Sequence, residues 1–492
     1  MAILPQIKHV IVVMLENRSF DNICGWLYKP GTTPLPSQFL PPSSAKEYDG
    51  LKSPYFNPVN PLYFKGQSAK TVRVFDQAAS TTDPDPDPQE TFSNVTYQLF
   101  GPEAPSANAT WPNLGFVVNY ANHVNATSRN GHGDEDGPGP APVKIMEPFS
   151  PAQLPVISAL ATNFAVSDRY FCSVPSQTWP NRSFVHAGTS NGNVNNGHIP
   201  NPFDWDVRNI FNVLQDLGMD WRVYSDTDVV PPLTRLMFPN LWTYGNGDHF
   251  HHFDTFKQDC ASGNLAQYTF LEPSFLINPN DQHPPHDVVA GEKFLFDIWQ
   301  AVSQSPAWFE SLLIITYDEH GGTYDHVHPP FGAACPDAKS NPGKEGFTFD
   351  RFGVRVPTVL VSPWIQAGTV FRSPTAIPYD HTSLLATLRD WLAIPKDKML
   401  TSARIAAAPT FEHVLTLQHA RTDLPTIPLP ATEVKPIDSS EEPNSIQKSL
   451  ISAHAVQQGK DPAATVSNIQ TRQDAIHFFK SNPPFTRPPT GD

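Results

Sequence analysis

The sequence predicts an α/β fold, a layered sandwich built around a mostly parallel central sheet. Three observations carry that expectation. Near-continuous apolar, β-branched runs bounded by polar residues, at Val10–Leu15, Leu312–Thr316 and Val356–Val361, read as parallel strands buried on both faces. Segments with 3.6-residue apolar periodicity, at Ala152–Phe164, Asn209–Leu217, Val288–Ser303 and Thr382–Leu392, read as helices. Strands and helices alternate across roughly 380 residues, the order that builds βαβ units. Such sheets carry their sites at the carboxyl ends of the strands.

Composition narrows the function classes. The chain has 492 residues, 33 Lys+Arg against 48 Asp+Glu, and a formal net charge of −15. That balance argues against a nucleic-acid backbone as partner. Proline outnumbers glycine 53 to 27, so long proline-punctuated loops are expected, and loops are where sites sit. An aromatic content of 11% argues against wholesale disorder. The only apolar run near the N-terminus, Val10–Leu15, is too short for an export signal or a membrane span, and the chain reads as cytoplasmic, with secretion left open. Cys24, Cys172, Cys260 and Cys335 leave two disulfides or four free thiols open. One catalytic domain is expected over residues 1–405, with a loop-rich excursion over the sheet edge at about 30–144. A Pro-rich C-terminal extension follows over 406–492, with two short helices at Ser445–Gln458 and Arg472–Lys480.

Four polar constellations stand where strands should end. The first strand runs into Glu16-Asn17-Arg18-Ser19-Phe20-Asp21, and Leu312–Thr316 runs into Tyr317-Asp318-Glu319-His320-Gly321-Gly322. Acidic pairs at two strand ends either assemble an oxygen-only cation site or cap turns and helices. The glycines after Asp318-Glu319 favour the first reading, because a turn without Cβ atoms lets backbone approach a ligand. Thr178, in Pro175-Ser-Gln-Thr-Trp-Pro-Asn-Arg182, is either a hydroxyl nucleophile towards phosphorus or a plain helix cap. Asn181 and Arg182 would supply amide and guanidinium donors to a phosphoryl group. Histidines cluster at His251-His252, at His283 and His286, and at His326 and His328, where an imidazole could protonate a leaving alkoxide or hold a phosphate oxygen. Gly188-Thr-Ser-Asn-Gly192 matches the esterase elbow G-x-S-x-G, but the segment after Ser190 is too rich in Asn and Gly for the helix that elbow requires.

Together these blocks resemble the phosphoesterase family of phosphatidylcholine-type (non-specific) phospholipases C and AcpA-like acid phosphatases, relatives of alkaline phosphatase. The resemblance rests on His9 to Asp21, on Pro175 to Arg182 with Phe184-Val-His-Ala-Gly-Thr-Ser190, on Asp281-Gln-His-Pro284, on Tyr317 to Gly322 with Asp325-His-Val327, and on Asp380-His-Thr-Ser383. It implies an alkaline-phosphatase-like sandwich and one divalent metal held by Glu16, Asn17, Asp318 and Glu319, with Thr178 completing the site. The all-oxygen set favours Ca2+ or Mg2+. It also implies Asn181 and histidines around the phosphate, with His283 at the family's His-Pro position and His251 and His252 as its paired histidines; on the residues' own chemistry, Arg182 would join Asn181 and His283 would protonate the leaving group.

The implied reaction is hydrolysis of a phospholipid such as phosphatidylcholine to diacylglycerol and a phosphorylated head group through a phosphothreonine. The alternatives are an acid phosphatase acting on soluble phosphomonoesters and a non-catalytic lipid- or phosphate-binding protein. Thr178 in the Cys/Ser-x-Pro-x-Arg position of sulfatases cannot give their aldehyde, which disfavours sulfate esters. One departure stands out: where the family often has Asp-Pro-x-His, this chain has Asp87-Pro-Gln-Glu90.

Overall fold

The computed structural model describes residues 4–128 and 141–483, apart from residues 30, 32, 33, 53, 198, 228 and 245–247. Residues 129–140 of the early excursion lie outside the described residues. Among the described residues eleven strands form: β1 (His9–Leu15), β2 (Gln38–Leu40), β3 (Phe56–Pro58), β4 (Thr71–Arg73), β5 (Ala165–Ser167), β6 (Trp221–Ser225), β7 (Phe250–His252), β8 (Tyr268–Glu272), β9 (Ser311–Tyr317), β10 (Thr358–Val361) and β11 (Thr369–Phe371). Nine of them make the central sheet in the order β2-β11-β5-β10-β9-β1-β8-β6-β7, and β3 with β4 form a separate hairpin. Val10–Leu15 is fully buried on both pleat faces, as a strand with helices packed above and below requires. On the described residues the chain is therefore an α/β sandwich with a mostly parallel sheet.

One strand differs in direction. Val356–Val361 reads as parallel in the sequence, but β10 runs antiparallel to both β9 and β5. The reason lies between β9 and β10, where only short 3-10 turns occur. A parallel return needs a crossover element to carry the chain back across the sheet, and without one the chain re-enters from the end at which it left.

The four expected helices form as Pro155–Asn163, Ile210–Asp216, Val288–Ser303 and Thr382–Trp391. The first has no side-chain cap of its own at Leu154. Glu292, from the helix packed against it, accepts from the backbone N–H groups of Val156 (2.5 Å) and Ile157 (3.1 Å) instead. Burial raises the Glu292 carboxyl to about 8, opposed by those two hydrogen bonds.

The early excursion does more than cross the sheet edge. It contributes the edge strand β2 and the helices Phe92–Phe100 and Phe116–Ser128. Val95, Leu99, Phe100, Phe116 and Tyr120 form a second small core with Tyr324, which follows β9. The excursion thus roofs the carboxyl ends of the strands. The C-terminal segment forms three helices, Ser445–Gln457, Pro462–Asn468 and Arg472–Ser481. Ile446, Leu450, Ile451 and Phe479 from it join the main apolar core. All four cysteines are free thiols. No helix among the described residues is long and apolar enough to cross a membrane.

Candidate active site

Strand register brings two of the acidic pairs together. β1 and β9 pair in parallel from His9 opposite Ser311 to Leu15 opposite Tyr317. The next residue on each strand, Glu16 and Asp318, therefore emerges at the same sheet edge. Asn17 then turns into the left-handed region (φ 53°), which Asn tolerates better than most residues, and its N–H donates to Asp318 Oδ1 at 2.9 Å. Gly321 (φ 59°) passes so close to this turn that a Cβ there would lie 2.0 Å from the Asn17 carbonyl oxygen. The Gly321 N–H donates to Glu319 Oε2 at 2.8 Å and so orients the second acid.

Thr178 arrives from across the sheet as the first residue of the helix Thr178–Ala187. Its Oγ1 lies 3.3 Å from Glu16 Oε2 and 3.5 Å from Asn17 Oδ1. Thr178 is 3% exposed, and Glu16, Asn17, Asp318 and Glu319 have no exposure. Two carboxylate oxygens here, Asp318 Oδ2 and Glu319 Oε1, are buried without a hydrogen-bond partner. Burial, against the pull of Arg182, holds the Glu16 carboxyl well above its usual range. Burial, then the charges of Asp318 and Glu90, does the same to Glu319. Crowded, desolvated carboxylates with orphan oxygens are what a hard cation would relieve, and every donor in the set is an oxygen.

The neighbouring residues of the nucleophile motif face elsewhere. The Asn181 carboxamide accepts from the Val174 N–H (2.9 Å) and donates to the carbonyls of Val174 (3.0 Å), Ser176 (3.0 Å) and Gln177 (3.1 Å). It is consumed in pinning the loop that delivers Thr178, so it is not a phosphate donor as the sequence implied. Arg182 is likewise withdrawn. Its Nε and Nη2 bind Glu16 Oε1 at 2.8 and 2.5 Å, and Nη1 reaches Glu272 Oε1 at 3.4 Å. The guanidinium fixes the orientation of Glu16 and leaves its Oε2 facing Thr178. Glu272, at the end of β8 and held by the Thr234 N–H (2.9 Å), completes this buried triad. Sequence reasoning missed it because Tyr268–Glu272 did not stand out as a strand.

The histidines divide. His283 lies in the loop whose Asp281 carbonyl accepts from the Glu16 N–H at 2.9 Å. Its Nδ1 lies 2.6 Å from the Pro284 carbonyl, its Nε2 3.5 Å from Ser445 Oγ, and burial depresses it to about 4. A neutral ring with both nitrogens occupied is not the proton donor the sequence implied. His286 is paired with Asp281 at 2.6 Å. His251 and His252 end β7, the edge strand three positions from β1, and are not brought to Thr178; three strand spacings amount to roughly 14 Å. His252 instead caps the helix Phe253–Ser262. His381, unassigned from the sequence, is buried with Nε2 2.6 Å from the Asp318 carbonyl and so supports the acidic turn. Ser190 donates to the Asn193 carbonyl within a turn, which disposes of the esterase reading.

Glu90 of the excursion is drawn in. It is 4% exposed, accepts from Gln177 Nε2 at 3.1 Å, and burial raises it to about 7, with Asp318 adding to the effect. A separate cluster, Asp21, Asp325 and His326, gathers three ligand-type atoms within 4.8 Å of one another. Arg355 already occupies it, with Nη2 2.9 Å from Asp21 and Nε 2.9 Å from Asp325, so its charge is balanced without an ion.

The phosphoesterase family model matches residues 7–395. Non-specific phospholipase C6 of Arabidopsis thaliana is 35% identical over 92% of this chain and 80% of its own length, and non-specific phospholipase C4 is 36% identical over 85% and 73%. Phospholipase C A of Mycobacterium tuberculosis is 27% identical over 80% and 75%. A solved structure of a protein in the alkaline phosphatase superfamily from Vibrio parahaemolyticus aligns with a TM-score of 0.31 at 11% identity, over 53% of this chain and 65% of that one. Matched along four fifths of its length, this chain belongs to the phosphoesterase family and is a hydrolase acting on phosphoric esters.

Proposed function

We propose that this chain is a phospholipase C that cleaves phospholipids such as phosphatidylcholine to diacylglycerol and a phosphorylated head group, with Thr178 as nucleophile. The observation that carries this reading is the convergence of the Thr178 hydroxyl on Glu16 Oε2 and Asn17 Oδ1, beside the orphan oxygens of Asp318 and Glu319. The relatives named non-specific phospholipases C, at 34–36% identity over 73–83% of their length, support the substrate class.

Glu16, Asn17, Asp318, Glu319 and Thr178 would hold one divalent cation. When bound it would lower the pKa of the hydroxyl and offset charge at phosphorus. The chain's own residues do the rest. The Thr178 proton leaves towards Glu16 Oε2 while Oγ1 bonds to phosphorus and the bond to the diacylglycerol oxygen breaks. The departing alkoxide takes a proton from water. A second water then attacks the phosphothreonine, Oγ1 leaves phosphorus and takes back the proton held on Glu16, and the released phosphorylated head group gives up a proton that neutralises the hydroxide left by the first water. The positive end of the helix Thr178–Ala187 favours negative charge at this position throughout.

The test is diacylglycerol release from phosphatidylcholine micelles by wild type, by Thr178→Ala, and by wild type in EDTA with cation added back. Loss of activity by more than about a thousandfold in Thr178→Ala, and loss in EDTA reversed by Ca2+ or Mg2+, are expected. Faster hydrolysis of p-nitrophenyl phosphate than of the lipid would replace the reading with a phosphatase.

A further inference from the structure

Glu90 stands where the family often has histidine, and the structure shows what the exchange does to the centre. Gln177, the residue before Thr178, holds Glu90 by Nε2 at 3.1 Å and is itself held by the Asn196 N–H on its Oε1 at 3.1 Å. The carboxyl group is thus fixed beside the nucleophile, near enough to the acidic turn that the charge of Asp318 acts on Glu90 and that of Glu90 acts on Glu319. Three residues earlier, buried Asp87 Oδ1 has no hydrogen-bond partner and lies 3.8 Å from His283 Nδ1, and among the charges acting on Asp87 that of Glu90 comes first, opposed by Arg18. Arg182 balances Glu16 and Glu272, and Arg355 balances Asp21 and Asp325. Among the described residues no cation pairs with Glu90. Glu90 is therefore an acidic group beside the nucleophile that no protein cation pairs with.

An anionic phosphoester docking on Thr178 meets that charge. A cation held by Glu16, Asn17, Asp318, Glu319 and Thr178 would offset the acidic turn, but Glu90 is not among those residues, so an ammonium carried by the substrate would relieve the repulsion at Glu90 itself. Choline and ethanolamine head groups bring an ammonium two carbons beyond the phosphoryl oxygen. Glycerol head groups bring none, and a phosphomonoester adds a second negative charge.

We propose that Glu90 selects the head group: its carboxylate receives the ammonium of choline or ethanolamine phospholipids and turns away glycerol head groups and phosphomonoesters. This rests on the phospholipase reading of the Thr178 centre.

The experiment uses the full chain and short-chain lipids below their micellar concentration, which removes surface effects. kcat/KM is measured for dihexanoyl phosphatidylcholine, phosphatidylethanolamine and phosphatidylglycerol, and for p-nitrophenyl phosphate, in wild type, Glu90→Gln and Glu90→His. Wild type is expected to prefer the choline over the glycerol ester by about tenfold or more, a difference of about 1.4 kcal/mol. In Glu90→Gln that ratio collapses because the choline ester slows and the glycerol ester speeds up. Equal losses on both esters, or an unchanged ratio, would overturn the proposal and leave the phospholipase reading intact. Absence of hydrolysis of all three lipids by wild type would overturn both. Competitive inhibition of wild type by phosphocholine against glycerol 3-phosphate gives the same answer without a variant: tighter inhibition by phosphocholine supports the proposal, and equal or weaker inhibition overturns it.

Discussion

Asn181 offers the sharpest test of what the structure adds, because two roles for it predict different numbers. As a phosphate donor it would affect turnover and leave the fold alone. The geometry makes it a brace: one carboxamide satisfies four backbone groups of Val174, Ser176 and Gln177, all within the loop leading to Thr178. Asn181→Ala strands buried backbone polar groups, and at about 0.5–1.5 kcal/mol net for each of the four lost hydrogen bonds the destabilisation comes to roughly 2–6 kcal/mol. For a chain of this length that lowers Tm by only about 2–6 °C, which differential scanning calorimetry resolves. The freed loop also misplaces Thr178, and displacements near 1 Å cost on the order of a hundredfold in kcat. Both effects should appear together, and Asn181→Asp should not restore either, since it replaces the amide donor with a second acceptor oxygen. An Asn181→Ala enzyme with unchanged Tm and a raised KM would refute the brace and return Asn181 to the phosphate.

Four further outcomes follow from the same geometry. Arg182→Met, which leaves Glu16 and Glu272 buried without their cation, should destabilise by about 3–5 kcal/mol in urea titration and abolish lipid hydrolysis; retention of both would contradict the triad. His251→Ala and His252→Ala should each leave kcat/KM within about twofold of wild type, His252→Ala costing about 1 kcal/mol for its lost cap; a tenfold loss in either would put them back at the phosphate. Against burial, Asp21 and the hydrogen bonds of Asp21 and Asp49 raise His326 to about 9. Its contribution, on the order of 3 kcal/mol, is therefore complete below about pH 6.5 and lost as pH rises through 9; a His326→Asn variant should show a flatter Tm profile from pH 7 to 10, and an equally steep one would sink the assignment. Asp318→Asn with Glu319→Gln should lower bound Ca2+ or Mg2+ after dialysis, measured by elemental analysis, while a control at Asp325 retains it; loss only in the control would move the cation to the Arg355 cluster.

Much of the site was legible in the chain because buried parallel strands announce themselves as unbroken apolar runs. Acids placed directly after such runs, Glu16 and Asp318 with Glu319, then fall at a common edge once the strands pair in register. Thr178 was legible for a different reason, as a hydroxyl in a Pro-braced motif that starts a helix. Direction and neighbours were less accessible. β10 carries the composition of a parallel strand, but a missing crossover reversed it. His251 and His252 sit at the edge of the sheet because of strand order, which no local pattern encodes. Glu272 and Glu90 are, respectively, 94 residues after and 88 before Thr178 in the chain, and only folding brings them near it.

By itself, then, the sequence determined the α/β layering, the family, and the five oxygen-bearing residues that converge, four after strand ends and Thr178 at a helix start. The tertiary structure decided which polar side chains are free to meet a ligand. Asn181, Arg182 and His283 each have the right chemistry for a phosphate, yet each is spent on a backbone loop, on Glu16, or on the Pro284 carbonyl and Ser445. Buried donors and acceptors must all be satisfied, so the availability of any one depends on every group packed around it, and that accounting exists only in three dimensions.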